Sequence, residues 1–255
     1  MKLTWICTLV VLFQVSSVTL GAEKLQSYNV DRSTITVSGF SSGGGMAMQY
    51  HVAFSSEIQG AAIFDGAPFA CYKVDFCKNP GKVVVSNLAK EITGLASTKK
   101  IDNESNLNGS KVFVFHGTKD TVVDPAFGHK LEKLYQVFGA VTKNEYTIKA
   151  VHGFPTNFYG AACGSFSPAT HFINNCKYHG SNIAMKHLLG DSLASPASSA
   201  EGQLLQYDQT EFGGSAVSSM DPTGYVYIPT GCQDKTRQCK LHIAFHGCLQ
   251  SKYGS

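Results

Sequence analysis

The sequence is poor in charge. Asp, Glu, Lys and Arg make up 15% of its 255 residues, the formal net charge is +3, and no Lys/Arg run stands out. Without clustered cations the chain has no footprint for nucleic acid or an anionic membrane surface. Cys-x-x-Cys is missing and the histidines are scattered, so a zinc site has no ligand framework. No internal repeat is visible. A hydrophobic content of 43% sets aside disordered and fibrous chains, and a chain of this length can bury a full core as one domain.

The apolar run from Leu3 to Phe13 falls well short of the ~20 residues that span a bilayer. It follows Met1-Lys2 and precedes Ser16-Ser17-Val18-Thr19-Leu20-Gly21-Ala22, which together read as the basic, apolar and small-residue zones of a signal peptide. The expected organisation is a signal peptide over 1–22 and a single catalytic domain over 23–255, secreted and extracellular. Removing Cys7 leaves three close cysteine pairs, Cys71 with Cys77, Cys163 with Cys176 and Cys232 with Cys239, which suit disulfides in an exported protein; Cys248 is left over. Asn103-Glu104-Ser105 and Asn108-Gly109-Ser110 are glycosylation sequons.

Strand and helix signals alternate along most of the chain. Ser33–Ser38 is a β-rich run stopping at Gly39, and Gly43–Phe54 reads as a helix with Met46, Tyr50 and Ala53 on one face. Ala61–Phe64 and Lys111–Phe115 read as strands. Phe127, Leu131, Leu134 and Phe138 define the next helical face, stopped at Gly139. Tyr146–Ile148 reads as a strand, and Ser181 as the cap of a helix running to Gly190. This alternation predicts an α/β class with a mostly parallel sheet and flanking helices. A Ser/Ala/Gly-rich connection over Asp191–Gly202 follows, and after it come strands only, Gly224–Ile228 and Leu241–Phe245.

Gly39-Phe40-Ser41-Ser42-Gly43 lies between a strand and a helix, the context of a nucleophile elbow. Only Ser41 has glycines at both −2 and +2, which singles it out over Ser42. A serine nucleophile needs a base, and the base needs an orienting carboxylate. In α/β-hydrolases these arrive in the order Ser, Asp, His from loops after later strands. His116-Gly117-Thr118-Lys119-Asp120 follows one strand signal and His152-Gly153-Phe154-Pro155-Thr156 the next. Asp120 is preferred over Asp124, which precedes Pro125 and suits opening a helix. His152 is preferred over His171, His179 and His187, none of which directly follows a strand. The oxyanion hole takes the amide of Ser42 and a second amide that normally precedes the nucleophile. Nothing between residue 22 and Ser33 supplies it. The matching element is late: Leu241–Phe245 followed by His246-Gly247-Cys248-Leu249-Gln250. A circular permutation joined through Asp191–Gly202 accounts for that; an appended β-hairpin is the plainer alternative.

At this point the sequence resembles the extracellular poly(3-hydroxybutyrate) depolymerases of the circularly permuted α/β-hydrolase type. The resemblance rests on Ser38–Gly44, His116–Asp120, His152–Thr156, Ile173-Asn174-Asn175-Cys176 and Leu241–Cys248. It implies Ser41, Asp120 and His152 as the triad, and the Ser42 and Cys248 amides as the oxyanion hole, with no metal or organic cofactor. It also implies chain beyond Ser255. The expected activity is a secreted serine esterase acting on 3-hydroxybutyrate polyester or its oligomers through an acyl-enzyme. The alternatives are an acetyl or feruloyl esterase acting on carbohydrate, or a non-catalytic binding protein on the same scaffold. The expected partner is a polyester or small ester, bound by a monomer.

Overall fold

The computed structural model describes residues 23–191, 193–196, 199–213 and 221–250. The expected signal peptide lies outside them. Along the chain run β1 (Glu23–Lys24), β2 (Thr36–Phe40), α1 (Ser42–Ala53), β3 (Gly60–Phe64), α2 (Val85–Ser97), β4 (Lys111–Phe115), α3 (Ala126–Val137) and β5 (Val141–Glu145). Then come β6 (Phe154–Thr156), β7 (Ala161–Ala162), β8 (Ile173–Asn175), α4 (Gly180–Leu189), β9 (Gly202–Asp208), β10 (Thr223–Pro229) and β11 (His242–Phe245). The described residues form two compact units, one from those within 29–199 and 237–250, the other from those within 23–28 and 200–236.

The larger unit is built on a five-stranded, wholly parallel sheet in the order β11-β2-β3-β4-β5. Side chains alternate across a strand, so each central strand feeds two cores. Ala61, Ile63, Val112 and Val114 pack with Met48, Ile92, Phe127 and Leu131 of α1, α2 and α3. Ala62, Phe64, Phe113 and Phe115 pack with Ala184 and Leu188 of α4 on the other face. Helices on both faces bury β3 throughout, and β4 beyond its exposed first residue, Lys111. Such strands read as continuous apolar runs, and both are found where the sequence placed them to within a residue. β11 pairs with β2 from His242↔Thr36 to Phe245↔Gly39, so it belongs to the main sheet and is no second arm of an appended hairpin. A small sheet, β6-β8-β7, lies between β5 and α4 in the chain. In the other unit β9 and β10 pair antiparallel, with β1 alongside β9.

Several local expectations shift. The strand before the elbow, β2, begins at Thr36, because Asp31 caps a short 3-10 turn over Arg32–Thr34. In α1 the buried face is Ala47, Met48, His51 and Val52, while Met46 is half exposed. The last strand of the main sheet is Val141–Glu145 instead of Tyr146–Ile148. It pairs with β4 through Phe115↔Glu145 and ends where that partner ends, and as a polar edge strand it carries no apolar signal. Ser181 lies inside α4 and caps nothing; His179 precedes the helix. Gly139 stops α3 as expected, at φ +79. Cys71–Cys77 and Cys163–Cys176 form disulfides, and Cys232 and Cys239 are disulfide-bonded as well. Cys248 is a free thiol.

Candidate active site

Every expected site residue lies in the larger unit. Ser41 sits in the turn from β2 to α1 at φ 58, ψ −122, a conformation costing a non-glycine residue on the order of 1–3 kcal/mol. Its neighbours hold it there. The Ser41 N–H donates to the Phe64 carbonyl at 2.9 Å, and the Ser41 carbonyl accepts from Gly45 N at 3.0 Å. The flanking glycines are steric requirements. A Cβ on Gly39 would stand 2.0 Å from the Gly43 carbonyl, and one on Gly43 would stand 2.2 Å from that of Phe245. Strand, helix and β11 meet too closely here for any side chain.

His152 follows the β5 region and Asp120 follows β4. His152 Nε2 is 2.9 Å from Ser41 Oγ, and His152 Nδ1 is 2.7 Å from Asp120 Oδ2. This geometry fits an imidazole carrying its proton on Nδ1, donating to the carboxylate and accepting from the serine hydroxyl. The other oxygen, Asp120 Oδ1, accepts the amides of Val122 and Val123 at 2.8 and 2.9 Å. Asp120 is buried, which disfavours its charge, but hydrogen bonds from His116 and His152 prevail and hold it well below the usual carboxylate range. Asp124 instead accepts the Ala126 amide at the start of α3. His187 faces the Val141 carbonyl; neither it, His171 nor His179 makes the contact to Ser41 that His152 makes.

Ser42 opens α1, where the first backbone amides lack helical partners. The loop after β11 runs over the nucleophile: a Cβ on Gly247 would fall 3.1 Å from Ser41 Cβ. Next in that loop, the Cys248 thiol donates to Ser42 Oγ at 3.3 Å. The two residues expected to shape the oxyanion hole are therefore neighbours, although some 206 positions separate them in the chain.

Three features were given no role in the sequence reading. The first is Asp65, fully buried in the turn after β3, whose oxygens accept the amides of Gly117 at 2.9 Å and Gly153 at 3.2 Å. Burial pushes its carboxyl up to about 6, helped by the nearby Asp120 charge and opposed by His116, the Gly117 amide and His152. A carboxylate directly after a short buried strand was the available signal. The second is the His116 ring, which places Nε2 2.9 Å from the Val123 carbonyl and 3.4 Å from Asp120 Oδ2. Burial opposes its charge, but Asp120 and Asp65 outweigh that and raise its pKa. The third is a cavity of about 510 Å³ that opens on Ser41 and Ser42 and is lined by Gln49, Tyr72, Phe76 and Phe127. The Cys71–Cys77 disulfide closes the loop that carries Tyr72 and Phe76, both exposed. Asp65, Asp120 and His152 are the described residues whose ligand-type atoms cluster, within 4.8 Å of one another. Asp120 and His152 turn those atoms on each other, and Asp65 turns its own on backbone amides.

Fold and site together define the class, a serine ester hydrolase of the α/β-hydrolase type. No protein-family model matches the chain. It is 33% identical over 257 residues to a polyhydroxybutyrate depolymerase of Talaromyces funiculosus, covering 98% of this chain and 73% of that protein. It is 34% identical over 242 residues to a poly(3-hydroxybutyrate) depolymerase of Delftia acidovorans, covering 90% of this chain but only 48%, about half, of the relative. Among solved structures, a serine-to-alanine PHB depolymerase complexed with an R3HB trimer superposes at a TM-score of 0.82 with 32% identity. That match covers 91% of this chain and 74% of the other. The crystal structure of the Penicillium funiculosum PHB depolymerase matches at 0.78 with the same identity and coverage. The chain belongs to the polyhydroxybutyrate depolymerase family.

Proposed function

We propose that this chain is a secreted esterase that hydrolyses 3-hydroxybutyrate polyester or its oligomers, with Ser41 as nucleophile, His152 as base and Asp120 as its orienting carboxylate. The observation that carries this reading is the unbroken hydrogen-bonded line Ser41 Oγ–His152–Asp120, at 2.9 and 2.7 Å, under a strained elbow. His152 Nε2 takes the proton from Ser41 Oγ as that oxygen attacks the ester carbonyl. The amides of Ser42 and Cys248 receive the negative charge that develops on the carbonyl oxygen. The ester C–O bond then breaks, and His152 returns the proton to the departing alcohol. Water, deprotonated by His152, releases the acid and restores Ser41. Every proton moves through one imidazole, so the cycle closes without redox change.

The cavity beside Ser41 combines apolar walls, Tyr72, Phe76 and Phe127, with the polar groups of Gln49, Lys78 and Asp124, which suits a short apolar acyl chain carrying ester or hydroxyl oxygens. The likeness to polyhydroxybutyrate depolymerases favours a hydroxybutyrate ester over acetyl or feruloyl groups on carbohydrate. Paired disulfides support export to an oxidising space. No helix among the described residues is long and apolar enough to cross a membrane. A monomer suffices for the proposed site, since each expected site residue comes from one chain. The test is a substrate panel of R3HB trimer, acetylated xylan and a feruloyl sugar ester. Turnover of the trimer with kcat/KM at least tenfold above either carbohydrate ester is expected. A carbohydrate ester turned over faster than the trimer would overturn the substrate reading.

A further inference from the structure

We infer that Asp65 is a positioning residue of this site, one carboxylate that ties the loop bearing the acid to the loop bearing the base. This rests on the proposed triad and adds to it a fourth side chain. The two loops come from different strands, and no covalent link joins them near the site. Backbone bonds tie their outer parts, the Thr118 and Lys119 amides donating to the Ile148 and Ala150 carbonyls at 2.9 Å, and Asp65 adds the side-chain bridge next to the catalytic pair. Its Oδ1 accepts the amide of Gly117, three residues before Asp120, and its Oδ2 accepts the amide of Gly153, directly after His152. The first link continues, because the Gly117 carbonyl accepts the Asp120 amide at 3.1 Å. Asp65 is itself pinned: it sits at φ +47, and its own amide donates to the Phe115 carbonyl at 2.9 Å.

The residue type follows from the geometry. Two backbone N–H groups approach different ends of one fully buried side chain, Gly117 at Oδ1 and Gly153 at Oδ2, and a carboxylate offers an acceptor at each. An asparagine would face one of them with its own amide hydrogens. Burying a second carboxylate within 4.8 Å of Asp120 is costly, and a protein concerned with folding alone has cheaper ways to close two loops. The placement makes sense where the separation of Asp120 and His152 must be held tightly, since small misplacement of a catalytic pair costs large factors in rate.

Asp65→Asn tests this. The readouts are kcat and KM on a soluble aryl acetate, circular dichroism, and the far-downfield proton resonance of the His152 Nδ1–H bonded to Asp120. With the fold retained, kcat should fall 10- to 100-fold, KM should stay within threefold, and the resonance should move or broaden. A purely structural brace does not shift that resonance in molecules that remain folded. The idea is overturned by an unmoved resonance with kcat within threefold, or by activity lost only in proportion to the unfolded fraction. Should Asp65→Asn fail to fold, Asp65→Glu takes its place under the same criteria. Failure of both to fold assigns Asp65 to the fold alone and overturns the inference too. Ser41→Ala run in parallel separates the two claims. Turnover that survives Ser41→Ala sinks the triad, whereas an inactive Ser41→Ala beside an unimpaired Asp65→Asn sinks only the role of Asp65.

Discussion

Replacing Asp120 with asparagine exchanges one oxygen for an amide nitrogen, and the surroundings decide which one. Asp120 Oδ1 accepts two backbone amides, Val122 and Val123, at 2.8 and 2.9 Å. The Asp120→Asn side chain therefore has one low-energy arrangement, with its carbonyl on those two amides and its NH2 group at the former Oδ2. That NH2 then faces His152 Nδ1, 2.7 Å away in the wild type, and can only donate to it. The imidazole is driven to the tautomer with its proton on Nε2, the atom that has to accept from Ser41. The His116 Nε2–H, 3.4 Å from the same position, disfavours an NH2 there as well. In a Ser-His-Asp site the equivalent change costs ~10⁴ in kcat. For Asp120→Asn a loss of about 10³–10⁴ in kcat is expected, ~4–5.5 kcal/mol of transition-state stabilisation. KM on an aryl acetate should change less than threefold, and circular dichroism should be unaltered. A folded Asp120→Asn protein with kcat within tenfold of wild type would refute the reasoning, since no tautomer would then be at stake.

Two further predictions concern the surroundings of the site. Cys71–Cys77 closes a short loop with a sequence separation of 6, so Cys71→Ser/Cys77→Ser should lower unfolding stability by about 2 kcal/mol in chemical denaturation. Because that loop walls the cavity, KM for R3HB oligomers should rise at least threefold, while kcat on a small aryl acetate holds; unchanged KM would detach the loop from substrate binding. His51 is fully buried between Tyr135 Oη at 3.0 Å and Ser110 Oγ at 2.9 Å, and burial pulls its pKa from 6.5 down to about 3. The unfolded chain takes up this proton first as pH falls, so the group costs stability between pH 6.5 and about 3, by about 1.4 kcal/mol per pH unit. Denaturation midpoints across that range should fall less steeply for His51→Gln than for wild type; parallel slopes would show that His51 does not titrate with unfolding.

What could be read in the sequence and what could not divide along physical lines. The elbow is legible because its requirements are local: a strained serine needs its neighbours at −2 and +2 to have no side chain, and the contacts at Gly39 and Gly43 are backbone contacts. β3 and β4 are legible because burial on both faces leaves an apolar run. β5 is not, since Val-Thr-Lys-Asn-Glu is an edge whose order comes from its partner strand. α2 begins at Val85 with no side-chain cap, so its start carries no signal, and only Leu88 and Ile92 mark its buried side. β9 is mostly exposed and follows a Ser/Ala/Gly-rich stretch, which hides it. Asp120 and His152 stand out because each follows a strand, and the fold brings both to Ser41. Asp65 also follows a strand, but its partners are the backbone amides of two distant glycines, and a backbone amide leaves no mark in a sequence.

The most direct test of the central claim is site-resolved labelling with a fluorophosphonate, which reacts only with an activated serine. The account predicts one adduct per molecule, on the peptide carrying Ser41, formed at least 100-fold more slowly in a folded His152→Ala variant. An adduct on another serine, or labelling of Ser41 at an undiminished rate without His152, would contradict it.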